Sequence, residues 1–91
     1  MKLVAEDALD ALVAPLGWER RGPELVKVVR HHDFAAALAY VNEVGRLAER
    51  AGHHPDVEIR WNTVTLRLST HSLGGITDAD VELARLIDAV G

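Results

Sequence analysis

Two stretches in the second half of the chain alternate apolar and polar side chains with period two. Val57, Ile59 and Trp61 alternate with Glu58 and Arg60; Val64, Leu66 and Leu68 alternate with Thr65, Arg67 and Ser69. Extended backbone sends successive side chains to opposite faces, so each stretch is a strand with one greasy face and one wet face. Asn62-Thr63 lies between them as a tight connection and makes the pair a hairpin. Such a sheet needs cover on its apolar face only, and the rest of the chain has to supply it.

It supplies three helices and a second pair of strands. Leu3, Val4, Ala8, Leu9, Leu12 and Val13 recur at roughly helical spacing over residues 3–13, until Pro15 and Gly17 stop them. Trp18-Glu19-Arg20 reads as a short strand and Arg21-Gly22-Pro23 as a turn. Glu24 to Arg30, with Leu25, Val26, Val28 and Val29, reads as a strand folded back on the first. Asp33 is placed to cap a long helix, Phe34 to Ala51, because its carboxylate can accept a first-turn amide hydrogen bond.

In that helix Phe34, Leu38, Val41 and Ala48 form one stripe, with Ala37, Val44 and Leu47 beside it. Glu43, Arg46, Glu49 and Arg50 mark its wet side. Gly52 stands where a helix end takes a left-handed residue, and Pro55 prevents resumption. Thr77 opens a last helix through Val81, Ala84, Ile87 and Val90. The order α-β-β-α-β-β-α predicts an α+β fold, a four-stranded antiparallel sheet covered on one face by helices. We expect one domain over residues 1–91. A core this small gains from association, and open sheet edges gain from pairing, so a homo-oligomer, dimer or tetramer, is expected.

Composition removes several function classes. The formal net charge of -4 argues against a nucleic-acid partner, which calls for a basic surface. With no cysteine there is neither a disulfide nor a thiolate zinc site. Met1-Lys2-Leu3-Val4-Ala5-Glu6-Asp7 breaks its apolar run with acids at once, unlike a secretory signal. No run of 18 apolar residues occurs, so no membrane partner is expected, and the default location is the cytoplasm.

The chemistry lies in five histidines, unevenly placed. His31-His32 precede the long helix and read as surface residues. His53-His54 follow it, where the negative end of the helix dipole favours an imidazolium. His71 ends the last strand ahead of Ser72-Leu73-Gly74-Gly75, a loop able to approach a flat ligand closely. Imidazole titrates near neutrality and can both give and take protons there. Ser69, Thr70 and Ser72 add donors and acceptors beside His71. Thr77-x-x-Asp80 has the spacing of a capping box, Glu49 and His53 that of a helix-end pair, and Trp61 reads as core or interface.

The run Glu49-x3-His53-His54-Pro55-x5-Trp61-x9-His71-x8-Asp80 resembles the signature of the pterin-4a-carbinolamine dehydratases. The segment from Leu66 to Thr77 resembles that family's strand, histidine and loop; Gly17-Trp18, Asp33-Phe34 and Tyr40-Val41 match more loosely. The resemblance implies the same α-β-β-α-β-β-α fold and an enzyme without metal or organic cofactor. It implies dehydration of a 4a-hydroxytetrahydropterin, released by aromatic amino acid hydroxylases, to a quinonoid dihydropterin in tetrahydrobiopterin recycling. Carried onto this chain, the catalytic histidines are His53, His54 and His71. Gly52, His53, His54, Ser69, Thr70, His71 and Ser72 would contact substrate, with Glu49 and Asp80 behind them.

In that scheme His53 and His71 are the acid and base in either order. His54 orients the pterin, and Glu49 orients His53. Animal members of the family often carry an acid where Gly52 stands, so any hydrogen bond from that side chain is missing here. Two rival readings follow. One is a zinc site built from the three histidines, disfavoured because neighbours on extended chain point apart. The other is a protein-binding module, since animal members double as dimerisation cofactors of a homeodomain transcription factor.

Overall fold

The computed structural model describes residues 1–90. The chain runs α1 (Glu6–Val13), β1 (Glu19–Arg21), β2 (Glu24–Arg30), α2 (Phe34–Ala51), β3 (Asp56–Arg60), β4 (Thr63–Leu68), a 3₁₀ turn (His71–Leu73) and α3 (Asp78–Asp88). The expected order is thus the observed one. All strand pairs are antiparallel, in the order β1-β2-β4-β3. The central pairing is between β2 and β4, with Leu25 opposite Leu68 and Arg30 opposite Thr63.

Cross-strand partners share a face. One face therefore carries Leu25 and Val29 with Leu68, Leu66 and Val64, the last three fully buried. The helices lie on it: Leu9 and Val13 from α1, Ala37, Tyr40, Val44 and Ala48 from α2, and Leu83, Ala84 and Ile87 from α3 complete one core. Trp18 is buried in it and donates its indole N–H to the Ala84 carbonyl at 3.1 Å.

The helix ends follow their capping residues. Asp33 accepts from the Ala36 amide at 2.8 Å, and Gly52 closes α2 with φ 64°. Several expectations shift. Helix α1 starts at Glu6, because Leu3 and Val4 are drawn into backbone pairing: Leu3 bridges Thr77, and the Val4 amide donates to the Ile76 carbonyl. Strand β1 is Glu19–Arg21, one residue later than expected, since Trp18 turns into the core.

On α2 the buried stripe is rotated from the expected one. Tyr40 enters the core, while Phe34 and Leu38 remain exposed. The helix is apolar on more than one side, and the sheet accepts only the face of Ala37, Tyr40, Val44 and Ala48. Trp61 is neither in the strand nor in the core. Arg60 pairs with Thr63, so Trp61-Asn62 is the two-residue turn, which holds Trp61 at φ 52° and leaves it 69% exposed. His71 belongs to the 3₁₀ turn rather than to the strand end. His31 is half-buried against the Tyr40 ring, centroids 4.9 Å apart, whereas His32 is exposed as expected. Burial, with the charge of Asp88 adding to it, pushes the Tyr40 phenol up to about 12.

Lys27 sits on the helix-facing side of β2, opposite Leu66, and is stabilised there by Asp88 at the end of α3. Its Nζ lies 2.6 Å from Asp88 Oδ1, and Asp88 Oδ2 accepts from the Gly17 amide at 2.7 Å. A Cβ on Gly17 would come within 2.7 Å of Lys27 Nζ, which ties this glycine to the clamp. Asp88→Ala leaves a largely buried ammonium without its partner. The expected loss is about 1–3 kcal/mol, below the figure for a fully buried pair because both side chains keep some water. Urea unfolding of the variant measures it; an unchanged midpoint would show the clamp to be passive.

Candidate active site

The β3–β4 hairpin explains how distant histidines meet. In an antiparallel hairpin the start of the first strand lies beside the end of the second, and here Asp56 pairs with Arg67. The segment before β3 and the segment after β4 therefore share one end of the sheet. His53, His54, Ser69, Thr70, His71 and Ser72 line a single cleft there, with a volume of about 340 Å³. This lies within the range of small-molecule sites, roughly 300–1,000 Å³. Asp56, Arg67 and Met1 complete its rim. The polar sheet face contributes only that end, through Asp56 and Arg67.

The side chains are held very differently. His53 is 11% exposed and its Nε2 lies 2.5 Å from Asp80 Oδ1; Asp80 is fully buried. The second oxygen of Asp80 accepts from the Thr77 amide at 2.8 Å, from Thr70 Oγ1 at 2.9 Å and from Thr77 Oγ1 at 3.2 Å. Asp80 thus caps α3, as its spacing from Thr77 predicts, and holds a histidine with its other oxygen. A carboxylate only accepts hydrogen bonds, so His53 Nε2 is the donor and Nδ1 is the nitrogen the ring has left to offer. An Asp–His pair of this kind fixes the tautomer and orientation of the imidazole.

Glu49 does not orient His53. Its Oε2 lies 2.5 Å from His54 Nε2, and both side chains are largely in water. Residues 53 and 54 follow the αL cap on non-helical chain and aim apart, so His54 swings out to the last turn of α2 while His53 turns inward to α3. An exposed pair such as Glu49–His54 contributes little to stability. His71, exposed, stands on the 3₁₀ turn, whose backbone is closed by the Gly74 amide donating to the His71 carbonyl at 3.1 Å.

Among the described residues, no group of three or more His, Asp or Glu side chains is arranged to hold a metal ion. His31 and His32 lie outside the cleft. Sequence reasoning missed Asp56 and Met1 on the rim; the pairing of Asp56 with Arg67 at the open end of the hairpin is what brings the former there.

Fold and site together define a small α+β domain with a histidine-lined cleft at one end of its sheet. The family model of the pterin 4 alpha carbinolamine dehydratases matches residues 1–90, and the chain belongs to that family. It is 56% identical over 71 residues to a protein of Nocardia farcinica provisionally named pterin-4-alpha-carbinolamine dehydratase, covering 78% of this chain and 75% of that one. A protein of Acidobacterium capsulatum with the same provisional name is 48% identical over 85 residues, 93% of this chain and 89% of that one.

The crystal structure of a transcriptional coactivator/pterin dehydratase from Brucella melitensis superposes with TM-score 0.89 at 26% identity, covering 97% of each chain. A pterin dehydratase-like protein identified as a RuBisCO assembly factor in the alpha-carboxysome shares the fold, with TM-score 0.64 at 23% identity over 81% of this chain and 86% of that one. No described helix is long and apolar enough to cross a membrane.

Proposed function

We propose that this protein dehydrates a 4a-hydroxytetrahydropterin to the quinonoid dihydropterin. The observation that carries the reading is the convergence of His53 and His71 on one cleft, with His53 held by the buried Asp80. In the reaction the C4a–O bond breaks, the N5–H proton leaves and a C4a=N5 double bond forms, with water as the other product. One group must protonate the departing hydroxyl and another must take the N5 proton. His53 is the base: with Nε2–H bound to Asp80, Nδ1 accepts the proton, and the carboxylate stabilises the imidazolium that results. His71, in the more exposed position, supplies the proton to the hydroxyl. His54 orients the ring, together with the hydroxyls of Ser69 and Ser72; the Thr70 hydroxyl is held by Asp80 and Thr77 and serves the site through them, and Gly52 does not line the cleft.

The substrate in the cell would be the 4a-hydroxypterin left by an aromatic amino acid hydroxylase, and the setting would be cytoplasmic recycling of tetrahydrobiopterin. The direct test follows the disappearance of a synthetic 4a-hydroxytetrahydropterin with and without the protein. Activity is expected to survive exhaustive chelation, since both proton transfers use side chains alone. Activity that vanished with chelator and returned with zinc would replace this reading with a metal site.

A second reading is favoured by the outer face of α2. Phe34 and Leu38 are exposed on it, and a shallow depression of about 670 Å³ runs along Val41, Asn42, Gly45 and Arg46. Apolar helix surface of this kind marks protein contact. The same face, with the open edges β1 and β3, supports self-association into a dimer or tetramer. Sedimentation at micromolar concentration is expected to give a mass above the 9.9 kDa of one chain. A species of 9.9 kDa alone would leave the α2 face to a different protein.

A further inference from the structure

Among the described residues, two buried side-chain polar atoms have no hydrogen-bond partner in the protein: His31 Nε2 and the Tyr40 hydroxyl. They belong to neighbouring rings, with centroids 4.9 Å apart and planes inclined by 43°. Tyr40 is only 6% exposed. Both residues line one concavity of about 410 Å³, and neither lines the histidine cleft. A buried polar atom without a partner is costly, and two around a single concavity call for a group that meets them both.

The rest of the lining says what that group is attached to. Ala36, Ala39 and Val90 present methyl groups. Glu43 and Arg46 stand at the opening, largely in water, and pair with each other. Asp88, whose charge reaches Tyr40, is held by Lys27. Among the described residues of this lining no charge is left over, so an entering ion would lose its water and gain no counter-ion. The Tyr40 phenol is pushed up to about 12 by burial and by Asp88, and it keeps its hydrogen at neutral pH. It therefore donates as well as accepts. A hydroxyl also does both, so one hydroxyl can answer Tyr40 and, in either tautomer, His31 Nε2. We infer that this concavity is a second ligand site, taking a small neutral ring compound that carries a hydroxyl. The ring packs against the alanine and valine methyls, and the hydroxyl bonds to Tyr40 and His31. The site is separate from the cleft and does not depend on the pterin reading.

Phenol, toluene and benzoate test it, each titrated into isotope-labelled protein and followed by the ring signals of His31 and Tyr40. Phenol is expected to bind about tenfold tighter than toluene, the contribution of one to two hydrogen bonds, and benzoate to give no saturable shift. Toluene is the more hydrophobic of the pair, so burial alone would rank them the other way. His31→Phe and Tyr40→Phe keep a ring and remove the polar atom, and each should bring phenol to within about threefold of toluene. Their urea midpoints should stay at or above wild type, because no hydrogen bond within the protein is lost. If either variant fails to fold, the ratio of phenol to toluene on the wild-type protein decides alone. Equal binding of phenol and toluene, or benzoate binding as well as phenol, overturns the inference. So does the absence of any saturable shift with phenol, which would leave water to serve the two atoms.

Discussion

Asp80→Ala is expected to cost about 3–5 kcal/mol, since each buried donor left without its acceptor costs about 1–3 kcal/mol. The carboxylate is fully buried and serves four donors: His53 Nε2, the Thr77 amide and the hydroxyls of Thr70 and Thr77. Alanine leaves all four to find other partners or none, and the last turn of the site loosens with the start of α3. A domain of this size has roughly 5–15 kcal/mol in total, so the variant stands close to unfolding at 37 °C. Urea unfolding at neutral pH measures the loss, and a change under about 1 kcal/mol would show that water replaces the carboxylate easily.

Asp80→Asn separates the two duties of this side chain. The amide keeps the shape and retains one accepting oxygen, so most of the stability should return. With its oxygen facing the Thr77 amide, its NH₂ faces His53 and favours the imidazole tautomer that accepts at Nε2. Nδ1 then carries the hydrogen and is no longer a base. A folded variant with turnover reduced by about 10²-fold or more is expected. A folded Asp80→Asn protein with normal turnover would remove His53 from the proton pathway.

Loss of both His53 and His71 is expected to bring turnover close to the uncatalysed rate. Each positioned proton-transfer group typically contributes about 10²–10⁴-fold, and solvent partly substitutes for one missing group but not for two. The effect belongs in kcat, because these groups act as the transition state forms. His54→Ala provides the contrast. That side chain is exposed and paired to Glu49 rather than to a buried carboxylate, so its loss should raise KM and leave kcat within a few-fold. Steady-state kinetics on His53→Ala, His71→Ala, His54→Ala and the His53→Ala/His71→Ala double variant decides the assignment. Near-wild-type turnover in the double variant rules out histidine acid–base chemistry.

Much of this protein is written locally. The N-cap at Asp33, the left-handed Gly52, the boundaries of β2 and α2 and the Thr77–Asp80 capping box all depend on residues a few positions apart, and each stands where its spacing predicts. The alternation in β3 and β4 determines the hairpin, and the hairpin alone requires that the chain before Asp56 and after Leu68 lie together. The meeting of His53 with His71 was therefore implicit in a short-range pattern.

What the tertiary structure decided are contacts between segments far apart, where several partners were chemically acceptable. Glu49 had His53 four residues away and took His54; His53 found Asp80, 27 residues on, because α3 packs its first turn against the same end of the sheet. Periodicity placed apolar residues on two sides of α2, and only the docked sheet selected Ala37, Tyr40, Val44 and Ala48 for the core over Phe34 and Leu38. Likewise Lys27 lies under α3 because Asp88 arrives there to meet it. Caps and turns are decided by the first few neighbours along the chain; the side that is buried, and the charge that meets a charge, are decided by which surfaces exclude water once the whole chain has closed.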